Sequence, residues 1–143
     1  RQFFFRDQLG MKKVDALKAN LLRIDPEAEI EAVDVRLDAA TARTLFADCD
    51  IVVEAFDAVA AKTMLLGALM PLGTRLVTAS GLAGWGRSNA IRLRRMGARV
   101  VAIGDGETSV GDAGMAPVSP RVGIAAAMEA NAVVSWLLGS EEL

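Results

Sequence analysis

Asp57 stands where an aspartate can do chemistry. Ile51, Val52 and Val53 form a short β-branched run of the kind that makes a buried strand. From Ala58 the pattern turns alanine- and leucine-rich and predicts a helix to about Met70, stopped by Pro71. Asp57 falls between the two, at the carboxyl end of the strand, which in an open α/β sheet is where ligands bind. An aspartate at that place can equally be a helix cap. Other reactive side chains are few. The single cysteine, Cys49, excludes a disulfide within the chain and a cysteine zinc site, and the sequence has no histidine. A histidine-based triad is therefore ruled out. Cys49 itself reads as a small buried or half-buried residue.

The elements that would position Asp57 follow from periodicity. Gly10 precedes a helix whose apolar residues Val14, Leu17, Leu21 and Ile24 form one face, closed by Asp25-Pro26. Residues 29–36 alternate unevenly and predict a partly exposed strand, and residues 41–47 a short helix. Residues 74–79 predict another strand, ending in the glycine-rich turn Gly81–Gly86. Periodicity leaves residues 89–96 open between a helical turn and an edge strand. Residues 99–103 form a further strand. After an irregular loop, Pro120 opens a long last helix with an expected buried stripe of Val122, Ala126, Val133 and Trp136/Leu137. Glu129 interrupts that stripe as a hydrogen-bonded core acid or an interface residue. Helices alternating with strands over short connections predict a Rossmann-like, mostly parallel sheet flanked by helices in a single domain, residues 1–143.

A hydrophobic fraction of 52% fits a chain that buries a core, and a formal net charge of -2 gives no pull toward nucleic acid. Arg92, Arg94, Arg95 and Arg99 cluster near a turn, which reads as a solvated edge. The apolar stretch 122–138 carries Glu129 and Asn131 and is too short and polar to span a bilayer. With no secretory signal visible, the expected location is the cytoplasm.

Four segments together resemble the ThiF/MoeB/HesA family of adenylyltransferases, which are similar to ubiquitin-activating enzymes. They are Arg1-Gln2, Gly10-Met-Lys-Lys13, the Val53–Asp57 strand end, and Gly114-Met-Ala-Pro117. Ser80-Gly81-Leu-Ala-Gly84 and Gly104-Asp-Gly106, without cysteine pairs, are most similar to the zinc-less branch of ThiF, which activates the sulfur carrier of thiamine biosynthesis. The resemblance covers essentially the whole chain. It implies ATP-dependent adenylylation of the C-terminal carboxylate of a ubiquitin-fold sulfur carrier protein, with ATP and Mg²⁺ and without zinc. Apolar surface at Phe3–Phe5 is expected to drive association, as a homodimer or a larger species. Arg1 matches an arginine that contacts ATP phosphates beside Gln2, Lys13 a lysine reaching the same phosphates, and Asp57 an aspartate near magnesium and the α-phosphate. The chemistry agrees: attack of a carboxylate on phosphorus brings anions together, so cations and a metal matter more than a general base. Lys12 and Lys13 in a helix's first turn oppose the dipole, which favours a bound anion there.

The family's first β-α-β portion, with its Gly-x-Gly-x-x-Gly phosphate loop, has no counterpart here. These residues are therefore expected to be the C-terminal part of a longer polypeptide, or to be completed by another chain. The segment alone is expected to bind ATP poorly. Two alternatives remain. One is a non-catalytic binding module of the same fold. The other is a dehydrogenase, because Gly81-x-x-Gly84-x-Gly86 and Asp105 loosely imitate a dinucleotide fingerprint.

Overall fold

The computed structural model describes residues 3–109 and 115–143. The chain divides into two compact units, Gln2–Arg36 and Leu37–Leu143.

The smaller unit is built on α1 (Lys13–Ile24), preceded by a 3-10 turn, Arg6–Gln8. Gln8 ties the entry segment to that helix, donating to Asn20 Oδ1 (2.7 Å) and to the Ala16 carbonyl (3.4 Å). Asn20 in turn donates to the Phe3 carbonyl at 3.3 Å. The helix forms as its periodicity predicts, but only Ala16 is buried, and Leu17, Leu21 and Ile24 are exposed. Residues 29–36 are not a strand, contrary to expectation. A strand needs a partner ladder, and the described part of this unit holds no strand to supply one. Instead Asp34 is held by an exposed ion pair to Lys12.

The larger unit is a sheet between two helical layers. Its strands are β1 (Ile51–Glu54), β2 (Arg75–Ala79), β3 (Arg92–Arg95) and β4 (Val100–Gly104), in the order β1-β2-β4-β3. The first three in that order run parallel, and β3 closes one edge antiparallel to β4. Successive strand residues face opposite sides. On one side Val52, Leu76 and Val100 pack against α2 (Ala39–Leu45) and α3 (Val59–Leu69), where Ala42, Leu65, Ala68 and Leu69 are buried. On the other, Val77, Val101 and Ile103 pack under α4 (Ser119–Leu137). Burying a Leu or Val side chain contributes roughly 1.5–3 kcal/mol, so these two clusters fix the layer order. Prolines stop and start helices as expected: Pro71 lies in a 3-10 turn after α3, and Pro120 opens α4. No described helix is long and apolar enough to cross a membrane.

Two expectations fail here. The buried stripe of α4 is Arg121, Ala125, Glu129, Ala132 and Trp136, whereas Ala126 and Leu137 are exposed. The apolar pattern misplaced the stripe because it counted only apolar residues, whereas Arg121 and Glu129 are buried in it. Cys49 is exposed rather than buried, in the turn just before β1. The ambiguous stretch 89–96 resolves into both of its readings, a 3-10 turn at Ser88–Ala90 followed by the edge strand β3. Arg92, Arg94, Arg95 and Arg99 are exposed along that edge, as expected.

Candidate active site

The parallel strands β1, β2 and β4 bring three loops to one end of the sheet. Each loop resolves its polar groups differently.

After β1, Asp57 is exposed and takes no part in a hydrogen bond or ion pair with any described residue. It does not cap α3: the N-cap is Ala58, with no side-chain cap bond, so the capping alternative falls. The acid beside it is wired in full. Glu54, 1% exposed, accepts from the Phe56 N–H (2.5 Å) and from Lys62 Nζ at both oxygens (3.1 and 3.0 Å), and the Thr78 hydroxyl also donates to it. The register pairs Glu54 with Thr78, which places both on the face toward α3, where Lys62 lies.

After β2 and β4, two glycine turns cross at close range. A Cβ at Gly104 would stand 1.6 Å from the Ser80 carbonyl oxygen, and one at Gly81 would stand 2.2 Å from Asp105 Oδ1. Only glycine admits that approach, and both have positive φ, +145° and +78°. Asp105 Oδ1 accepts from the N–H groups of Glu107 and Thr108, each at 2.9 Å. Asp105 Oδ2 takes Arg121 Nη2 at 2.6 Å, joining the loop to the first turn of α4. Arg121 Nη1 reaches the Gly86 carbonyl at 2.9 Å. Burial pushes the Asp105 carboxyl upward, but the N–H donors of Thr108 and Glu107, with the Arg121 charge, hold it below its ordinary value. The Gly81–Gly86 turn runs into the short Ser88–Ala90 turn rather than a helix, so it offers no helix start for a pyrophosphate. The dinucleotide reading loses its acid and its helix together.

Deeper along α4, Glu129 is buried and its Oε1 has no partner among the described residues. Burial raises its pKa to about 7; the Lys62 charge pulls it down and the Glu54 charge pushes it up.

In the smaller unit Lys13 is the first residue of α1, exposed and without an ion pair among the described residues, whereas Lys12 is engaged by Asp34. Lys13 lines a small, largely apolar hollow of about 190 Å³ with Phe4, Phe5, Leu9 and Met11. Arg1, Gln2 and Gly114 lie outside the described residues. Lys13 and Asp57 belong to different units.

The model of the ThiF family matches residues 1–143, the full chain. The chain belongs to the ThiF family. Among curated proteins, this ThiF-family chain is similar to the adenylyltransferase and sulfurtransferase UBA4 of Candida glabrata, 30% identical over 90 residues. UBA4 of Vanderwaltozyma polyspora is 24% identical over a stretch of the same length. Each match covers 63% of this chain and 21% of the relative, so the matched stretch spans about a fifth of those proteins. Among solved structures, Escherichia coli tRNA N6-threonylcarbamoyladenosine dehydratase, TcdA, superposes with a TM-score of 0.77 at 16% identity, over 98% of this chain and 71% of that one. The same protein in complex with AMP gives 0.73 at 16% identity, over 94% and 69%. That likeness shows the shared Rossmann-like fold.

Sequence reasoning singled out Asp57 and Lys13 and passed over Glu54, Lys62, Thr78 and Arg121. An acid closing an apolar strand, with a lysine eight residues on, was the available signal for Glu54 and Lys62.

Proposed function

We propose that this ThiF-family chain carries the α-phosphate end of an adenylylation site, acting on the C-terminal carboxylate of a ubiquitin-fold sulfur carrier such as that of thiamine biosynthesis. The observation that carries the reading is Asp57: a carboxylate at the end of the parallel edge strand β1, exposed and without a partner among the described residues, beside an acid that is fully paired. Arg1, with Gln2, and Lys13 supply phosphate contacts, a planar fork from Arg and a point charge from Lys. Support comes from family membership, from relatives named as adenylyltransferases, and from a fold neighbour crystallised with AMP.

A magnesium ion fits this donor set. Asp57 is a single hard oxygen ligand, and Mg²⁺ takes one or two protein carboxylates, completing its shell with water and phosphate oxygens. When bound, the ion supplies positive charge where negative charge builds during transfer to the carboxylate. The chain's own part is to hold the phosphates by Lys13 and Arg1 and to keep the Asp57 carboxylate clear of competing donors. The product would be an acyl-adenylate, with pyrophosphate leaving. A homodimer in the cytoplasm is part of the same proposal.

The test is exchange of labelled pyrophosphate into ATP, by the polypeptide that carries this chain, against a panel of ubiquitin-fold proteins with free C-termini. Exchange that depends on one panel member supports the reading. A protein that binds such a carrier but exchanges no label is instead a non-catalytic module.

A further inference from the structure

Glu54 is an acid at the mouth of the candidate site that cannot act on a substrate. Its four acceptor positions are taken: Oε1 by the Phe56 N–H and Lys62, Oε2 by Lys62 and the Thr78 hydroxyl. Its side chain is 0% exposed, against 19% for that of Lys62. A buried carboxylate is normally costly, and here it persists with a cation and two further donors around it. What those bonds control is the backbone just before Asp57. The Phe56 N–H is held from within the fold by Glu54, and the Phe56 ring packs against the core under α3. Phe56 is therefore gripped by its amide and by its side chain. The next residue, Asp57, is exposed, with no described residue holding its carboxylate.

We propose that Glu54, locked by Lys62 and Thr78, is a positioning residue that fixes the Phe56–Asp57 backbone and so aims the Asp57 carboxylate. This rests on the adenylylation reading for its functional consequence but not for its structural one. Lys62 has a double place in it. It neutralises Glu54, and it ties the first turns of α3 back to β1, so the segment between strand and helix is closed like a clasp. A site that must present one free carboxylate gains from such a clasp, since a displacement of about 1 Å can cost on the order of 10² in rate.

The experiment compares Glu54→Gln with the neutral pair Glu54→Gln/Lys62→Gln, which keeps a folded protein in hand if the lone buried cation of the single variant unfolds it. Two readouts are taken. Amide hydrogen exchange at Phe56 should speed up at least tenfold relative to core amides such as those of Val77 and Val101, and an unchanged relative rate overturns the proposal. Pyrophosphate exchange with the best panel carrier should fall 10- to 100-fold in the wild-type background. In the Asp57→Asn background it should fall no further, because a residue acting through Asp57 has nothing left to aim. Equal losses in both backgrounds overturn the proposal and make Glu54 a general stabiliser. If Asp57→Asn itself exchanges at the wild-type rate, the adenylylation site has been misassigned, and the Phe56 amide still decides the clasp.

Discussion

The ends of β1 and β4 each carry an aspartate within a few residues of the strand, and the two have opposite fates. Asp105 is enclosed: Arg121, two backbone N–H groups and the Thr108 hydroxyl occupy it, and the crossing of Gly81 and Gly104 shuts it from solvent. Asp57 is open, and its neighbour Glu54 takes the pairing instead. Equal residue types at equivalent ends of parallel strands thus divide into one that joins loops and one left exposed and unpaired among the described residues. The difference is set by which acid finds a buried cation, and burial makes that choice costly to reverse.

The largest effect should come from breaking the closed end. Arg121→Met would leave Asp105 buried without its cation, and removing one partner of a buried pair costs about 3–5 kcal/mol. Urea denaturation should show that loss, and adding Asp105→Asn should restore part of it. A loss under ~1 kcal/mol in the single variant would erase the contrast. At the open end Asp57→Asn should leave stability within about 0.5 kcal/mol, as surface changes do. The same variant should lower pyrophosphate exchange by about 10²–10³. A collapse of both would mean that Asp57 holds the fold together as Asp105 does.

Glu129 lies between the two regimes, enclosed but with an oxygen that has no partner among the described residues. Its pKa is raised by burial from 4.5 to about 7, so the folded state keeps a proton that the unfolded state releases. That contribution is complete below about pH 4.5 and is lost as pH rises through 7, a change of about 3 kcal/mol. Glu129→Gln should therefore flatten the decline and raise the melting temperature at pH 8, which calorimetry across pH 5–8 would read. The smallest effect concerns capping. Asp38 caps α2 by accepting from the Thr41 N–H at 2.8 Å, so Asp38→Ala should cost about 1 kcal/mol. Asp57→Ala, with no cap to lose, should cost less than half of that, and equal costs would mean that Asp57 caps after all.

Local patterns made much of this legible. The β-branched run before Glu54 announced β1, prolines 71 and 120 marked helix limits, and Asp57 was placed at the strand end by counting alone. What stayed hidden depends on contacts distant in sequence. Glu54 is 24 residues from Thr78, and Asp105 is 16 from Arg121. A charged residue on a helix is read as surface until its partner is known, which is why the stripe of α4 was drawn off Arg121, whose partner is Asp105. Residues 29–36 failed for a related reason: alternation signals a face, whereas a strand also requires a neighbour.

The arginines of β3 have a consequence for behaviour in concentrated solution. An edge strand offers unpaired backbone groups to any passing strand, including the same strand of another molecule. Arg92, Arg94 and Arg95 occupy three of the four positions of β3. Antiparallel docking of two such edges would bring like charges together, and like charges facing across a ladder are destabilising. Arg95 is paired with Glu141, so the repulsion that guards this flank of the sheet against polymerisation comes from Arg92 and Arg94. The protection weakens as salt shortens the screening length from about 10 Å at 0.1 M toward 3 Å at 1 M.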